Sequence, residues 1–445
     1  MVALSIATFL FGSLAVAASV GNKHHQNLVA TTPSSSHGPY AGHKIIRLPV
    51  ASDDKVALNE RLINTAGVIS VLSVGSKHID VQVDSQFASL LSLDSSDDRV
   101  IVENVQALVD KEMNRLAVSR ANLASLSTQD LYAPDNWFSE YHKYNEIVAW
   151  FKDLAQKHPD LIEFIPSIGK TYLKKDIIAI KVTSSVNKAT KSQLWFHSGD
   201  HAREWIGPAT VQYFVHALVN DHAANPALLD SAELIIVPLM NVDGYEHTWA
   251  GTRLWRKNRR PIKKDFFGSV GVDLNRNWPA HWGEGGSSDM PFSDVYMGPE
   301  AGSEPEVKAL IIITRFFVYI HSFVTGWTTD DAPDEKLLKE VGDGIRDVIK
   351  KTSGKKYVSQ REIDLYAASG TASDWFYDEE VQEWLPDRRL YAYTIELRPS
   401  ADEANGGQGF ILPPEQIIPT GKEIYEAVKY FIDFAVKNPL KVKKF

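Results

Sequence analysis

The sequence predicts a large α/β domain with a central mixed β-sheet flanked by helices, preceded by a small α+β domain of ferredoxin-like strand order. Three observations predict it. From about Ser139 onward, short apolar runs alternate with segments of helical period, the pattern of a parallel or mixed sheet with helices on its faces. Between Lys44 and Leu126 the order is instead strand, helix, strand, strand, helix, strand, that of a split βαβ unit. The chain has 445 residues, 44% apolar and 23% charged, enough for two cores of which one is large.

Taken in order, the run MVALSIATFLFGSLAVAASV stays uncharged until Lys23 and contains Ala15-Val16-Ala17, which predicts a cleaved secretory signal over residues 1–18. No basic cluster flanks the run to orient it as a membrane anchor. Residues 19–43, rich in Ser, His, Thr and Gly, read as a flexible leader. KIIRLPV, VISVLSV, HIDVQV and RVIVENV are β-branched strands, with helices expected over VALNERLINTAG and QFASLLSL. A polar amphipathic helix from Gln106 closes this domain at Leu126. STQDLYAPDNW, within residues 127–138, reads as a linker open to cleavage.

In residues 139–445, IIAIKV, SQLWFHSG and AELIIVPLMN are expected strands. EIVAWFKDLAQKHP, IGPATVQYFVHALVN and EIYEAVKYFIDFAVK are expected helices. Strand ends are where such sheets carry chemistry.

Composition excludes several functions. A net charge of −9 and a pI near 5.9 argue against nucleic acid as the main partner, which needs clustered Lys and Arg. Cysteine is absent, so thiol chemistry and disulfides play no part. No Asn-x-Ser/Thr acceptor occurs, and N-glycosylation is not expected.

In HSGDHAREW, just after an expected strand, His201 and Glu204 are three residues apart, a spacing that turns both toward one ion. The same pair also suits an ordinary capping glutamate and a hydrogen-bonded histidine. His321, in FFVYIHSF, follows another apolar run and could be a third ligand or an edge residue. TRLWRKNRR and GVDLNRNW bring arginines together with asparagine and aromatics, either a solvated basic surface or guanidinium groups set to bind a carboxylate and an oxyanion. YTIELRP puts Glu396 at the end of an expected strand, as a base or as a salt-bridge partner of Arg398.

HAREW, TRLWRK, VDLNRNW, IHS, LYAASGTASDW and TIELR, in this order across Tyr141 to Lys437, resemble the zinc metallocarboxypeptidase A/B family, and the preceding small domain resembles its activation propeptide. The resemblance implies a secreted zymogen that acts on peptides and proteins with a free C-terminus and is activated by another protease; beside it, the charge argues against nucleic acid, no membrane partner is expected, and nothing in the sequence suggests more than a monomer. It implies one Zn²⁺ held by His201, Glu204 and His321, with a position left for water. Glu396 matches the general base and Arg256 the group that stabilises the oxyanion. Asn275, Arg276 and Tyr366 match the clamp on the substrate's terminal carboxylate. Arg203 and Arg253 match outer subsite residues, and Asp273 the acid that orients His201. Ser373 matches the base of the pocket for the terminal side chain; without a charge there, neutral or apolar ends are expected.

Departures from the family pattern cluster in one place. Between SEPE and HSF, and again before GW, the intervals are several residues short, and HSF replaces HSY. This leaves a second reading, a non-catalytic peptide-binding relative, against which the presence of Glu396 counts.

Overall fold

The structure, a computed structural model, describes residues 37–51, 54–65, 68–86, 99–186, 191–262, 269–314, 335–377, 392–400, 402–403 and 409–438. The expected signal, the expected strand leading to His321, and nearly all of the expected helix QFASLLSL lie outside the described residues.

Alternating Val and Ile build the first sheet. Strands β1 (His43–Pro49), β2 (Val68–Val74), β3 (His78–Asp84) and β4 (Val100–Val102) pair antiparallel in the order β2-β3-β1-β4, the ferredoxin-like order. Every second residue of β2 is buried, as a half-buried strand of period two requires. Helix α1 (Lys55–Ile63) joins β1 to β2, and Leu62 packs with Ile46, Leu48, Val68, Ile79, Val81 and Val83. Each fully buried aliphatic side chain here contributes roughly 1.5–3 kcal/mol. Helix α2 (Val105–Leu123) starts where the Asn104 side chain accepts from the Ala107 N–H at 3.0 Å, an N-cap. It buries Val105, Val109, Glu112 and Leu116.

The expected linker holds two short helical turns. After the short turns α3 (Thr128–Leu131) and α4 (Pro134–Trp137), the Trp137 indole is buried, donates to Gln212 Oε1 at 3.0 Å and stacks on His142. Ala124 to Asp130 are exposed.

Helix α5 (Tyr144–Lys157) buries Tyr144, Ile147, Trp150, Phe151 and Leu154, one stripe at helical spacing. Strands β5 (Ile162–Lys170), β6 (Asp176–Val182), β7 (Ser192–His197) and β8 (Ala232–Val237) form a mixed sheet in the order β5-β6-β8-β7. β7 and β8 run parallel, and β6 pairs antiparallel with both β5 and β8. β5 was not among the expected strands: Pro166 breaks its pattern, and the ladder slips between Ile165 and Gly169. Proline is tolerated there because β5 is an outer strand, where one row of N–H groups needs no partner.

The parallel crossover from β7 to β8 runs through α6 (Ile206–Asp221) and α7 (Pro226–Ser231); α8 (Val242–Trp249) follows β8. Further along come α9 (Pro305–Thr314), α10 (Glu335–Ser353), α11 (Glu362–Leu365), α12 (Ala372–Tyr377) and α13 (Ile417–Lys437). Helix α13 packs on α6 and α10. It comes so close that a Cβ on Gly421 would lie 2.3 Å from Tyr213 Cγ.

One expectation is corrected. Ala392 to Leu397, the segment carrying Glu396, forms no strand. A strand exists only through ladder bonds, and among the described residues β7 is bonded on one side only, to β8.

Candidate active site

The chain reverses sharply after β7, and that reversal builds the site. Gly199 has φ 72°, a left-handed conformation that glycine adopts without steric cost. The Met240 N–H donates to Ser198 O at 2.9 Å and the Asn241 N–H to Gly199 O at 3.0 Å, so the loop after β8 ties down the loop after β7. Asn241 Nδ2 donates to Asp200 O at 3.0 Å, and the Ala202 N–H to Arg256 O at 3.0 Å. His201, Arg203 and Glu204 are thereby held on a fixed backbone.

His201 bridges two carboxylates, with Nδ1 2.9 Å from Glu204 Oε1 and Nε2 3.2 Å from Asp273 Oδ1. Asp273 is fully buried and also accepts from the Asn275 N–H at 2.9 Å and from Arg256 Nε and Nη2 at 3.0 and 2.8 Å. Burial disfavours the Asp273 charge, yet Arg256 and His201 outweigh it and hold the carboxyl well below the usual range. Burial and Arg256 likewise oppose a charged His201, but Glu204 and Asp273 lift its pKa to about 9.

Two potential metal donors, His201 Nδ1 and Glu204 Oε1, thus lie side by side at 2.9 Å, while Asp273 fixes the other ring nitrogen. This is how a metal-binding histidine is oriented by an outer carboxylate, and the donor set fits zinc. The expected third donor, His321, lies outside the described residues.

A cavity of about 750 Å³ lies against these residues, lined also by Arg256, Asn275, Arg276, Tyr366 and Glu396. Arg276 is fastened by Nε to Gly286 O at 2.8 Å and by Nη1 to Asn275 O at 2.7 Å. Asn275 Oδ1 accepts from the Ala372 N–H at 2.9 Å. Arg276 Nη2 and Asn275 Nδ2 have no protein partner among the described residues, and the same holds for Arg256 Nη1. Glu396 opens onto the cavity, where the surrounding protein and the nearby Glu204 push its carboxyl up to about 7. Burial, and then Glu396, push the Tyr366 phenol up as well.

A family model described as zinc carboxypeptidase matches residues 147–427. The chain belongs to the zinc carboxypeptidase family. A metallocarboxypeptidase A-like protein of Trichophyton verrucosum is 32% identical over 420 residues, 89% of this chain and 94% of that protein. Carboxypeptidase B of Astacus astacus is 36% identical over 313 residues, 67% of this chain and 98% of its own length. The crystal structure of carboxypeptidase A from Helicoverpa armigera has a TM-score of 0.76 and 28% identity, covering 91% of this chain and 100% of that one. This carboxypeptidase is therefore a hydrolase of a zinc-dependent family that acts on peptides.

Two of the arginines singled out by sequence point away from open solvent. Arg203 donates to Ser70 Oγ at 2.8 Å and Asp294 Oδ2 at 3.0 Å, and its guanidinium lies 4.3 Å from the Phe410 ring centre. Arg253 pairs with Glu112 at 2.7 Å and stacks 3.8 Å from the Trp205 ring centre. Ser70 lies in β2 and Glu112 in α2. Neither was singled out by sequence, because no local pattern marks a serine or a glutamate whose partner is more than a hundred residues away. Ser373 donates to Glu362 Oε2 at 3.1 Å. Glu362 was also missed; the one signal for it was a carboxylate four residues before Tyr366.

Proposed function

We propose that this carboxypeptidase is a secreted zymogen that hydrolyses the last peptide bond of peptides and proteins with a free C-terminus. The observation that carries this reading is a pair of donors without a protein partner among the described residues, Arg276 Nη2 and Asn275 Nδ2, on the wall of the cavity that also holds Glu396. Donors fixed in this way match a carboxylate bidentately. With Tyr366 they clamp the substrate's C-terminal carboxylate and set the register, which makes the enzyme an exopeptidase.

His201, Glu204 and His321 would hold one zinc ion. When bound, zinc supplies a Lewis acid that lowers the pKa of a water and polarises the scissile carbonyl. Glu396, on the cavity wall, would take a proton from the attacking water as the water oxygen bonds to the carbonyl carbon. Arg256, held by Asp273 through Nε and Nη2, turns Nη1 to the developing oxyanion. Glu396 then gives the proton to the leaving nitrogen as the C–N bond breaks. Arg203 and Arg253 bind the substrate further from the cut. The neutral Ser373 hydroxyl by itself favours neutral or apolar terminal residues; Glu362 changes that balance.

The zymogen reading, with residues 44–126 as activation propeptide and 139–445 as catalytic domain, rests on what covers the cavity. Besides Ser70 and Glu112, Tyr40 accepts from the Leu254 N–H at 2.7 Å, the Glu60 carboxylate accepts from the Gly286 N–H, and Ser293 Oγ donates to Ile63 O at 2.7 Å. Val71 lines the same cavity as Glu396. The exposed stretch Ala124 to Asp130 suits the activating protease. No helix among the described residues is long and apolar enough to cross a membrane.

The test is release of the C-terminal residue from peptides by the uncut and the cut chain, with and without a chelator, alongside zinc content. Chelator-sensitive release that grows on cutting, at one zinc per chain, is expected. A folded, cut protein that binds peptides and releases nothing would support the non-catalytic relative instead.

A further inference from the structure

We propose that Glu362 sets a preference for a cationic C-terminal side chain, lysine or arginine. The inference rests on the reading that Arg276 takes the terminal carboxylate, and it names the substrate class of that same site.

Glu362 opens the single turn α11, directly before Tyr366, and lines the cavity shared with Arg276 and Glu396. Its Oε2 accepts from Ser373 Oγ at 3.1 Å, and Ser373 is in turn 2.8 Å from Thr371 Oγ1. This chain of hydroxyls fixes the carboxylate without neutralising it. Oε1 has no hydrogen-bond partner among the described residues, and no described Lys, Arg or His lies within ion-pair distance of Glu362. Burial raises the Glu362 carboxyl pKa, while the field of Arg276 and the Ser373 hydrogen bond oppose that rise. Glu362 also acts electrostatically on both Tyr366 and Glu396, which line the same cavity.

A terminal residue whose carboxylate is held by Arg276 extends its side chain into this part of the cavity. A lysine or arginine carries its charge at the end of a flexible stem and supplies the cation that Glu362 lacks. A leucine or phenylalanine displaces water from the carboxylate and offers no partner, which costs binding. Discrimination then arises from an unsatisfied buried charge with the wrong substrate as much as from attraction to the right one. Ser373, which on its own predicted neutral ends, becomes the residue that holds the acid.

The experiment uses the full chain, zinc-loaded and cut within Ala124 to Asp130, and measures kcat/KM for N-blocked peptides that differ only in a terminal Lys, Arg, Leu or Phe. Lys and Arg ends should exceed Leu and Phe ends by tenfold or more, and Glu362→Gln should lower that ratio by at least tenfold. Free lysine should also inhibit the wild-type enzyme at lower concentration than free leucine, a comparison that needs no variant. Preference for Leu or Phe in the wild type, or a Lys-to-Leu ratio that Glu362→Gln leaves unchanged, overturns the inference while leaving the carboxypeptidase reading intact. Release of no terminal residue from any peptide by folded, zinc-loaded protein overturns the reading beneath it.

Discussion

Arg253, in the loop after α8, and Glu112, in α2, form an ion pair of 2.7 Å with side-chain exposures of 0% and 3%. The pair lies 141 residues apart in sequence and joins α2 to the loop after α8. The Trp205 ring centre lies 3.8 Å from the Arg253 guanidinium.

Removing one partner of such a pair leaves the other charge buried, at a cost of about 3–5 kcal/mol. Glu112→Ala should therefore loosen the N-terminal domain and raise the activity of the uncut chain, about tenfold for each 1.4 kcal/mol of holding energy lost. Peptide release by the uncut variant, compared with the uncut wild type, checks this; equal activities would show that Glu112 does not hold the cavity closed.

Glu396→Gln keeps the shape and removes the proton acceptor. Zinc content should stay at wild-type level while kcat falls by about 10²–10⁴-fold. His201→Ala should lose both metal and turnover, because it removes a donor and leaves Asp273 without one of its partners. Metal analysis together with single-turnover kinetics separates the two outcomes.

Glu306, at the start of α9, is buried beside Glu304 and Asp243 and accepts from the Tyr172 N–H at 2.9 Å. Asn258 reaches both glutamates, and Arg260 pairs with Glu304. Burial, with those two acids, pushes the Glu306 carboxyl up from 4.5 to about 7. The folded state thus keeps a proton that the unfolded chain loses. The stability this provides is full below about pH 4.5 and is lost as pH rises through about 7, a loss on the order of 3 kcal/mol. Glu306→Gln should flatten this slope, and urea midpoints at pH 5 and pH 8 measure it; parallel slopes for the two proteins would reject the assignment.

Gly421→Ala sets two effects against each other. Alanine favours a helix interior over glycine by about 1 kcal/mol, but its Cβ would sit 2.3 Å from Tyr213 Cγ. Forcing α6 and α13 apart costs about 1–3 kcal/mol. A net loss of stability is expected, read as a lower melting temperature; a gain would mean that the Tyr213 ring yields freely.

Much of the molecule was legible in its sequence because the signals are local. Short β-branched runs marked β1, β2 and β3, short apolar runs marked β6, β7 and β8, and period-3.6 stripes marked α5, α6 and α13. The spacing of His201 and Glu204, and the ordered segments from HAREW to TIELR, pointed to a zinc carboxypeptidase. β5 escaped notice because Pro166 breaks its pattern, and only its outer position in the sheet explains why the proline is tolerated. The strand expected around Glu396 does not form, since a strand depends on a neighbouring ladder as well as on its own residues.

What tertiary structure alone decided are the pairings between distant residues. Ser373 read by itself is an uncharged residue; folded against Glu362, it holds a carboxylate. Arg203 and Arg253 match outer subsite residues in sequence; folded, Arg203 bonds Ser70 and Asp294, and Arg253 pairs with Glu112. Periodicity records which face of an element is buried, but not which side chain from another element meets it there. The type of fold and the class of reaction were therefore written along the chain, whereas the contacts of Ser373 with Glu362 and of Arg253 with Glu112 arise only where separate segments pack together.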